Sequence, residues 1–501
     1  MSDSVVSTTA GQVRGSAENG LLVFRSVPYA ASPAGDRRLR PPQPVPAWDG
    51  VRDATVTGHV APQPVMPTQL LPGEQFEQGE DCLALNVWTP GADGAGRPVL
   101  VWIHGGAFVT GSGSGAFYDG ASLARRGDVV VVTINYRLGV LGFLAHPDLR
   151  DPQTGAAGNW GLLDQIASLR WVQDNIADFG GDPGKVTIFG ESAGSMSVST
   201  LLGSPPAAGL FRGAIAESGG AAGVPMDVAK ETAEAVAAAL GLGADEVSKL
   251  RDAPVDKILE AQTKVTLDRR GTGGPLPFAP VVDGAVLTEH AQQAVAGGSA
   301  AGVSLLIGSN LDEWKLFALM DPSSADVDDA GLRKRIRATV GERAEELVDG
   351  YTKAREARGA SVEATELLNA IESDHMFRVP GMQLAEAQSV HQPRTFAYLF
   401  TYATPAMGGK LGSCHALEIP FVFGTHTKPG VSRFAGDGPE VAALSERMQE
   451  AWLAFARTGD PSTSALGEWP RYEPGRRATM ILGPECRVED APLEDERRLW
   501  D

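Results

Sequence analysis

Long apolar runs ended by glycine recur through the first half of the chain. RPVLVWIHGG (97–106) and DVVVVTINYRLG (128–139) are β-branched and do not alternate with polar residues. That pattern predicts strands buried on both faces of a mostly parallel sheet. LLDQIASLRWVQDNIADFGGDP (162–183) instead places Ile166, Leu169, Val172, Ile176 and Phe179 at helical spacing and ends on Gly-Gly-Asp-Pro, which predicts one amphipathic helix and its stop. KVTIF then reads as another buried strand, GESAGS as a turn and SVSTLLG as a helix, and FRGAIAESGG (211–220) repeats strand and turn. Strand, turn, helix, strand is the order of a doubly wound α/β sheet.

Further along, 226–270 and LRKRIRATVGERAEELVDGYTKAREA (332–357) are rich in Ala, Glu and Lys and read as helical excursions that cap the sheet. PRTFAYLFTY (393–402) and ATMILG (478–483) are late strand candidates. RPPQPVPAW (40–48) reads as an extended segment laid on a globule, because proline is disfavoured in helix interiors and central strands. No fixed-period repeat and no convincing linker interrupts the chain. The expectation is a single domain over 1–501, with helical insertions around 226–270 and 315–390.

Composition narrows the functional classes. The 501 residues carry 62 Asp+Glu against 43 Lys+Arg, a formal charge of -19, which repels nucleic acids and anionic lipid surfaces and favours solubility. The start, MSDSVVSTTAGQVRG, lacks the basic-then-apolar pattern of a secretory signal. No apolar run reaches the ~20 residues of a spanning helix. Three cysteines, Cys82, Cys414 and Cys486, form no CxxC pair and no disulfide framework. A soluble, cytoplasmic protein is expected, with neither nucleic-acid nor membrane partners, as a monomer or weak homo-oligomer.

The chemistry is concentrated at Gly190-Glu191-Ser192-Ala193-Gly194. A GxSxG sequence between a buried strand and a helix places its serine on a sharp turn, with the hydroxyl raised above the sheet. Such a hydroxyl needs an imidazole to take its proton and an acid to hold that imidazole. Five histidines follow Ser192: His290, His375, His391, His415 and His426; spacing alone does not choose among them. IHGGAF (103–108) offers backbone N–H donors just after a strand, where each donor aimed at a developing oxyanion is worth about 3 kcal/mol.

EDCLALNVWTP (80–90), VWIHGGAFVTGSG, NYRLGVLGF (135–143), the stretch from Gly158 to Ser195 and FRGAIAESGG together resemble the type-B carboxylesterases, the carboxylesterase/cholinesterase family, and above all its bacterial para-nitrobenzyl esterase branch. FRSVPYAASPAGDRRLRPPQPVPAW (24–48) and WLAFARTGDPSTSALGEWPRY (452–472) extend the likeness over nearly the whole chain. The resemblance implies an α/β-hydrolase fold and a serine carboxylesterase acting on small esters, with no cofactor and no metal. By the family's N-x-D-E segment, IGSNLDEW (307–314) implies Glu313 as the acid rather than Asp312; by its H-x-x-E-I-P-F segment, HALEIPFVFG (415–424) implies His415 as the base. The order Ser192, Glu313, His415 is the one these hydrolases use. The implied oxyanion donors are the N–H groups of Gly106, Ala107 and Ala193, with Gly105 serving the turn.

Ser218, in AESGG, occupies a family position near the triad and reads equally as a buried, hydrogen-bonded serine. Secreted members pair the cysteine of the EDCL run with one upstream, yet 57–65 holds none, so Cys82 is expected to be a free thiol. The loop 66–80 lacks the tryptophan with which cholinesterases hold quaternary ammonium, so choline esters are not expected as substrates. An amide or carbamate hydrolase with the same triad, or a catalytically silent binding protein on the same scaffold, are the alternatives.

Overall fold

The computed structural model describes residues 4–65, 76–269, 276–321, 324 and 327–501. Among the described residues, thirteen strands form one sheet. They are β1 (Ser4–Ser7), β2 (Gln12–Glu18), β3 (Leu21–Pro28), β4 (Val51–Asp53), β5 (Ala84–Thr89), β6 (Arg97–Ile103), β7 (Val130–Ile134), β8 (Gly181–Glu191), β9 (Gly213–Glu217), β10 (Ser304–Asn310), β11 (Thr395–Phe400), β12 (Ala478–Leu482) and β13 (Arg487–Asp490). The order is β1-β2-β3-β5-β7-β6-β8-β9-β10-β11-β12-β13, with β4 on β2. From β7 through β12 every pairing is parallel. The flanks β1-β2-β3-β5 and β13 are antiparallel.

The unalternating apolar runs explain the parallel centre. In β6, Val99, Val101 and Ile103 pack into the core on one face of the sheet, whereas Leu100 and Trp102 pack into the core on the other. In β7, Val130, Val132 and Ile134 oppose Val131 in the same way. With water excluded from both faces, a polar alternation would strand unpaired groups, and the sequence has none.

The predicted amphipathic helix is Trp160–Asn175 followed by a 3-10 turn Ile176–Phe179, and all five apolar positions named above are buried. It stops where Gly180 turns left-handed (φ 82°). The Ala-, Glu- and Lys-rich stretches are helical, with Met226–Ala239, Val255–Asp268, Asp329–Val340 and Ala344–Ala357 among them. The helices around 332–371 bury a third, smaller core of their own. The proline-rich 41–48 is extended coil, as expected.

The parallel centre decides where chemistry can occur. In such sheets, ligands meet the carboxyl ends of the strands. Five neighbouring strands, β6, β8, β9, β10 and β11, all end toward the same edge, and the loops that leave them carry residues 104–108, 192, 218, 313 and 415. At the same edge, Arg137 and Asp164 form a buried pair: Asp164 accepts from the Arg137 backbone N–H (3.0 Å), Nε (2.7 Å) and Nη2 (2.7 Å). This satisfied pair ties the loop after β7 to the central helix.

Candidate active site

Ser192 joins β8 to the helix Ala193–Leu201 in a conformation that side chains rarely adopt, φ 58° and ψ -123°. Holding a non-glycine residue there costs of order 1–3 kcal/mol. The surroundings impose it: the Ser192 N–H donates to Glu217 O at the end of β9 (2.9 Å), and its carbonyl starts the helix by accepting from Met196 N–H (2.8 Å). The flanking glycine is required by space, since a Cβ on Gly194 would sit 2.0 Å from Ile103 O.

The loop after β6 lies directly against this elbow. A Cβ on Gly105 would come within 3.0 Å of Ser192 Cβ. Ala107 (φ 53°) and Phe108 (φ 61°) are also left-handed, and the Gly106 carbonyl is turned away to accept from the N–H groups of Val109 and Thr110 (3.0 Å each). His104 fixes the start of the loop. Its Nδ1 donates to Gly105 O (2.8 Å), its ring stacks on Tyr136 (4.4 Å between centroids), and burial lowers its pKa to about 4, so it stays neutral.

Glu313 and His415 meet. The buried Glu313 accepts from His415 Nδ1–H through Oε2 (2.7 Å) and from Asn310 N–H through Oε1 (2.7 Å). Asp312 faces elsewhere, accepting from Ser413 N–H (2.9 Å) and pairing with Lys315 (3.1 Å). The other histidines have separate engagements: His290 caps the helix Ala291–Ala296, His391 bonds Ala296 O, His375 stacks on Trp500, and His426 stacks on Phe421. Of the five, His415 is the one in contact with Glu313.

His415 Nε2 faces Glu191 Oε1 at 3.1 Å, one residue before Ser192, and makes no hydrogen bond to the Ser192 hydroxyl in this structure. Burial, followed by the charge of Glu313, pushes the Glu191 carboxyl well above the usual range.

Glu191 belongs to a buried acidic group that the sequence reading missed. Glu217, Glu418 and Glu191 are all essentially excluded from solvent. Glu217 accepts from Trp452 Nε1–H (2.8 Å); Glu418 accepts from Asn310 Nδ2–H (2.6 Å) and from the Ser218 hydroxyl (3.3 Å). Ser218 therefore has a hydrogen-bonded place beside the site. The signal was present in the sequence, since GESAGS and AIAESGG each carry a glutamate at the end of a buried strand and HALEIP carries one at the start of a buried apolar run. The ring of His415 is flanked by Phe377 (4.6 Å) and Phe317 (4.9 Å), also unforeseen.

Glu418 makes this group visible to titration. Burial first, then the charges of Glu191 and Glu313, raise its pKa from 4.5 to about 8, against the opposing bond from Asn310 and the charge of His415. Across that window the folded protein binds more protons than the unfolded chain, so stability falls as pH rises. Glu418→Gln keeps the bond from Asn310 through its amide oxygen, lets its NH₂ group donate to the Ser218 hydroxyl oxygen instead, and carries no charge. Its melting temperature is expected to match that of the wild type near pH 5 and to exceed it at pH 8; parallel melting curves across the two pH values would contradict the assignment.

A serine on a strained strand-to-helix elbow, a buried acid-imidazole pair and a glycine-bent loop at the carboxyl edge of a parallel sheet define a serine hydrolase of the α/β-hydrolase fold. Comparisons with known proteins agree. The carboxylesterase family profile matches residues 2–500. The chain is 39% identical over 502 residues to the para-nitrobenzyl esterase of Bacillus subtilis (strain 168), covering 99% of this chain and 98% of that one. It is 36% identical over 488 residues to the phenmedipham hydrolase of Pseudarthrobacter oxydans, covering 96% and 95%. Among solved structures, a thermophilic para-nitrobenzyl esterase superposes with a TM-score of 0.89 at 37% identity, covering all of both chains. A Geobacillus stearothermophilus carboxylesterase gives 0.88 at 41%, covering 99% of this chain and all of the other.

The chain belongs to the carboxylesterase family, and it is a serine hydrolase of carboxylic esters. Cys82, Cys414 and Cys486 are free thiols, Cys82 as expected. Among the described residues, no helix is long and apolar enough to cross a membrane. The 66–80 loop, read above as lacking a choline-binding tryptophan, lies mostly outside the described residues, as does 270–275.

Proposed function

We propose that Ser192, His415 and Glu313 form the catalytic triad of this carboxylesterase. The observation that carries the reading is the buried 2.7 Å bond from His415 to Glu313 beside a serine held at φ 58°. As an ester enters, Nε2 turns from Glu191 to the Ser192 hydroxyl; bonds between nucleophile and base commonly close only in the substrate complex. The hydroxyl oxygen attacks the ester carbonyl while Nε2 takes its proton. Negative charge gathers on the carbonyl oxygen, which the N–H groups of Gly106, Ala107 and Ala193 receive. His415 protonates the departing alcohol, and Glu313 stabilises the charged ring meanwhile. Water, deprotonated by His415, then releases the acid and frees Ser192.

The chain's reaction requires no metal or organic cofactor in this scheme. We place it in the cytoplasm on its free cysteines, and treat it as one domain in which the helices of 226–270 and 315–390 are insertions. Small esters, para-nitrobenzyl esters among them, are the proposed substrates. The test is a panel of aryl and alkyl esters of graded chain length beside amides, carbamates and phenmedipham, run with fluorophosphonate labelling. Ester turnover together with covalent label on Ser192 is expected. Turnover of amides or carbamates well above that of esters would overturn the substrate class, and an unlabelled protein would overturn the nucleophile.

A further inference from the structure

Phe377, the ring closest to His415 of its two aromatic neighbours, sits in an unusual piece of backbone. Residues Asp374–Arg378 form a π-helical turn, a wide turn frequently found at functional sites. The turn is held from behind by a buried polar relay. Trp500 Nε1–H donates to the Tyr351 hydroxyl (2.7 Å), and that hydroxyl donates to Asp374 Oδ2. The same carboxylate accepts from Arg378 Nε and Nη2 (2.5 Å each), and Arg378 Nη1 reaches Pro492 O (3.4 Å). Trp500 also stacks on His375 inside the turn (5.4 Å, 20°). Asp374, Arg378 and Tyr351 are all buried.

From the front, the turn touches His415, and the residue that leads into it bonds the residue after Glu313. Phe377 lies 4.6 Å from the His415 ring and stacks on Phe317 (5.8 Å, 14°), which is itself 4.9 Å from His415. Ser373, at the mouth of the turn, accepts from Trp314 N–H through Oγ (2.9 Å), and Trp314 directly follows Glu313. One segment thus seats the imidazole ring and anchors the chain beside its carboxylate.

We infer that Asp374, Tyr351 and Trp500 are positioning residues: through the π-helical turn they hold Phe377 against the imidazole of His415 and keep its Nε2 in line for the Ser192 proton. The inference rests on the triad reading above. The relay touches no substrate and moves no proton in the reaction. Its contribution is to hold a ring, where small misplacements are costly to rate.

The experiment compares Tyr351→Phe, Trp500→Phe, Phe377→Leu and the double variant Tyr351→Phe/Phe377→Leu on one chromogenic ester, well below each melting temperature. Each single variant is expected to lower kcat by about 3- to 10-fold with KM within about 2-fold, and to slow fluorophosphonate labelling by the same factor. The double variant is expected to be no worse than the poorer single, because both act through one contact. Losses that multiply, or variants that melt earlier with unchanged kcat and labelling rate, would overturn the inference. Should Tyr351→Phe fail to fold, Trp500→Phe with its own Phe377→Leu double carries the same comparison. Ser192→Ala run alongside separates the two readings: wild-type turnover there would sink the triad and the relay with it, whereas an inactive Ser192→Ala beside relay variants of unchanged kcat would sink the relay alone.

Discussion

Ser192→Ala is expected to lower ester turnover by at least ~10⁴-fold, the scale at which other triads fail when the nucleophile is removed. KM for the ester should stay within a few-fold, because the oxyanion loop and the pocket walls remain. Fluorophosphonate should no longer attach. The substitution keeps the strained backbone, so it gains no stability. Ser192→Gly should be equally inactive yet melt at a higher temperature than Ser192→Ala, since φ 58° is inexpensive for glycine alone. An alanine variant that retained near wild-type turnover would mean that another nucleophile does the work.

The second large effect belongs to Glu313→Gln. Glutamine fits the buried site and still accepts from Asn310 N–H, so the protein should fold. The trouble is the other end of the amide. Where Glu313 accepted from Nδ1–H at 2.7 Å, the glutamine presents its NH₂ group and drives the proton to Nε2. A ring protonated on Nε2 cannot take the serine proton, and a comparable exchange in another triad costs ~10⁴-fold in kcat. The neighbouring control is Asp312→Asn, whose carboxylate faces Ser413 N–H and Lys315 rather than the imidazole. It should retain most activity. Equal losses at 312 and 313 would remove Glu313 from its role and point to general disruption of the loop after β10.

Much of this was legible in the sequence, for identifiable reasons. The runs at 97–103 and 130–134 announced central strands because burial on both faces demands unbroken apolar residues. GESAGS announced the elbow because close backbone approach demands glycine at 194. Other parts left no such mark. β10, whose end carries Glu313, is only seven residues long and reads SLLIGSN, with little to tell it from a helix fragment. The antiparallel strands near the start, such as β2 (QVRGSAE), are half exposed and carry charge. The partnership of residues 313 and 415 is a tertiary fact: two loops, from adjacent parallel strands, meet although they stand 102 residues apart in sequence. The same holds for the glutamates at 191, 217 and 418, each unremarkable alone and unusual only because the sheet register sets Glu191 beside Glu217 and Glu217 beside Gly308.

The strand order also has a consequence in time. The pocket edge is assembled from β6, β8, β9, β10 and β11, laid side by side in the order in which a ribosome would release them, and the imidazole arrives on the last of these loops. If the proposed triad is right, a nascent chain that has emerged only as far as residue 400 carries its hydroxyl, its bent glycine loop and its carboxylate, but not its base. On the proposed triad, hydrolysis therefore waits until the loop after β11 has been made.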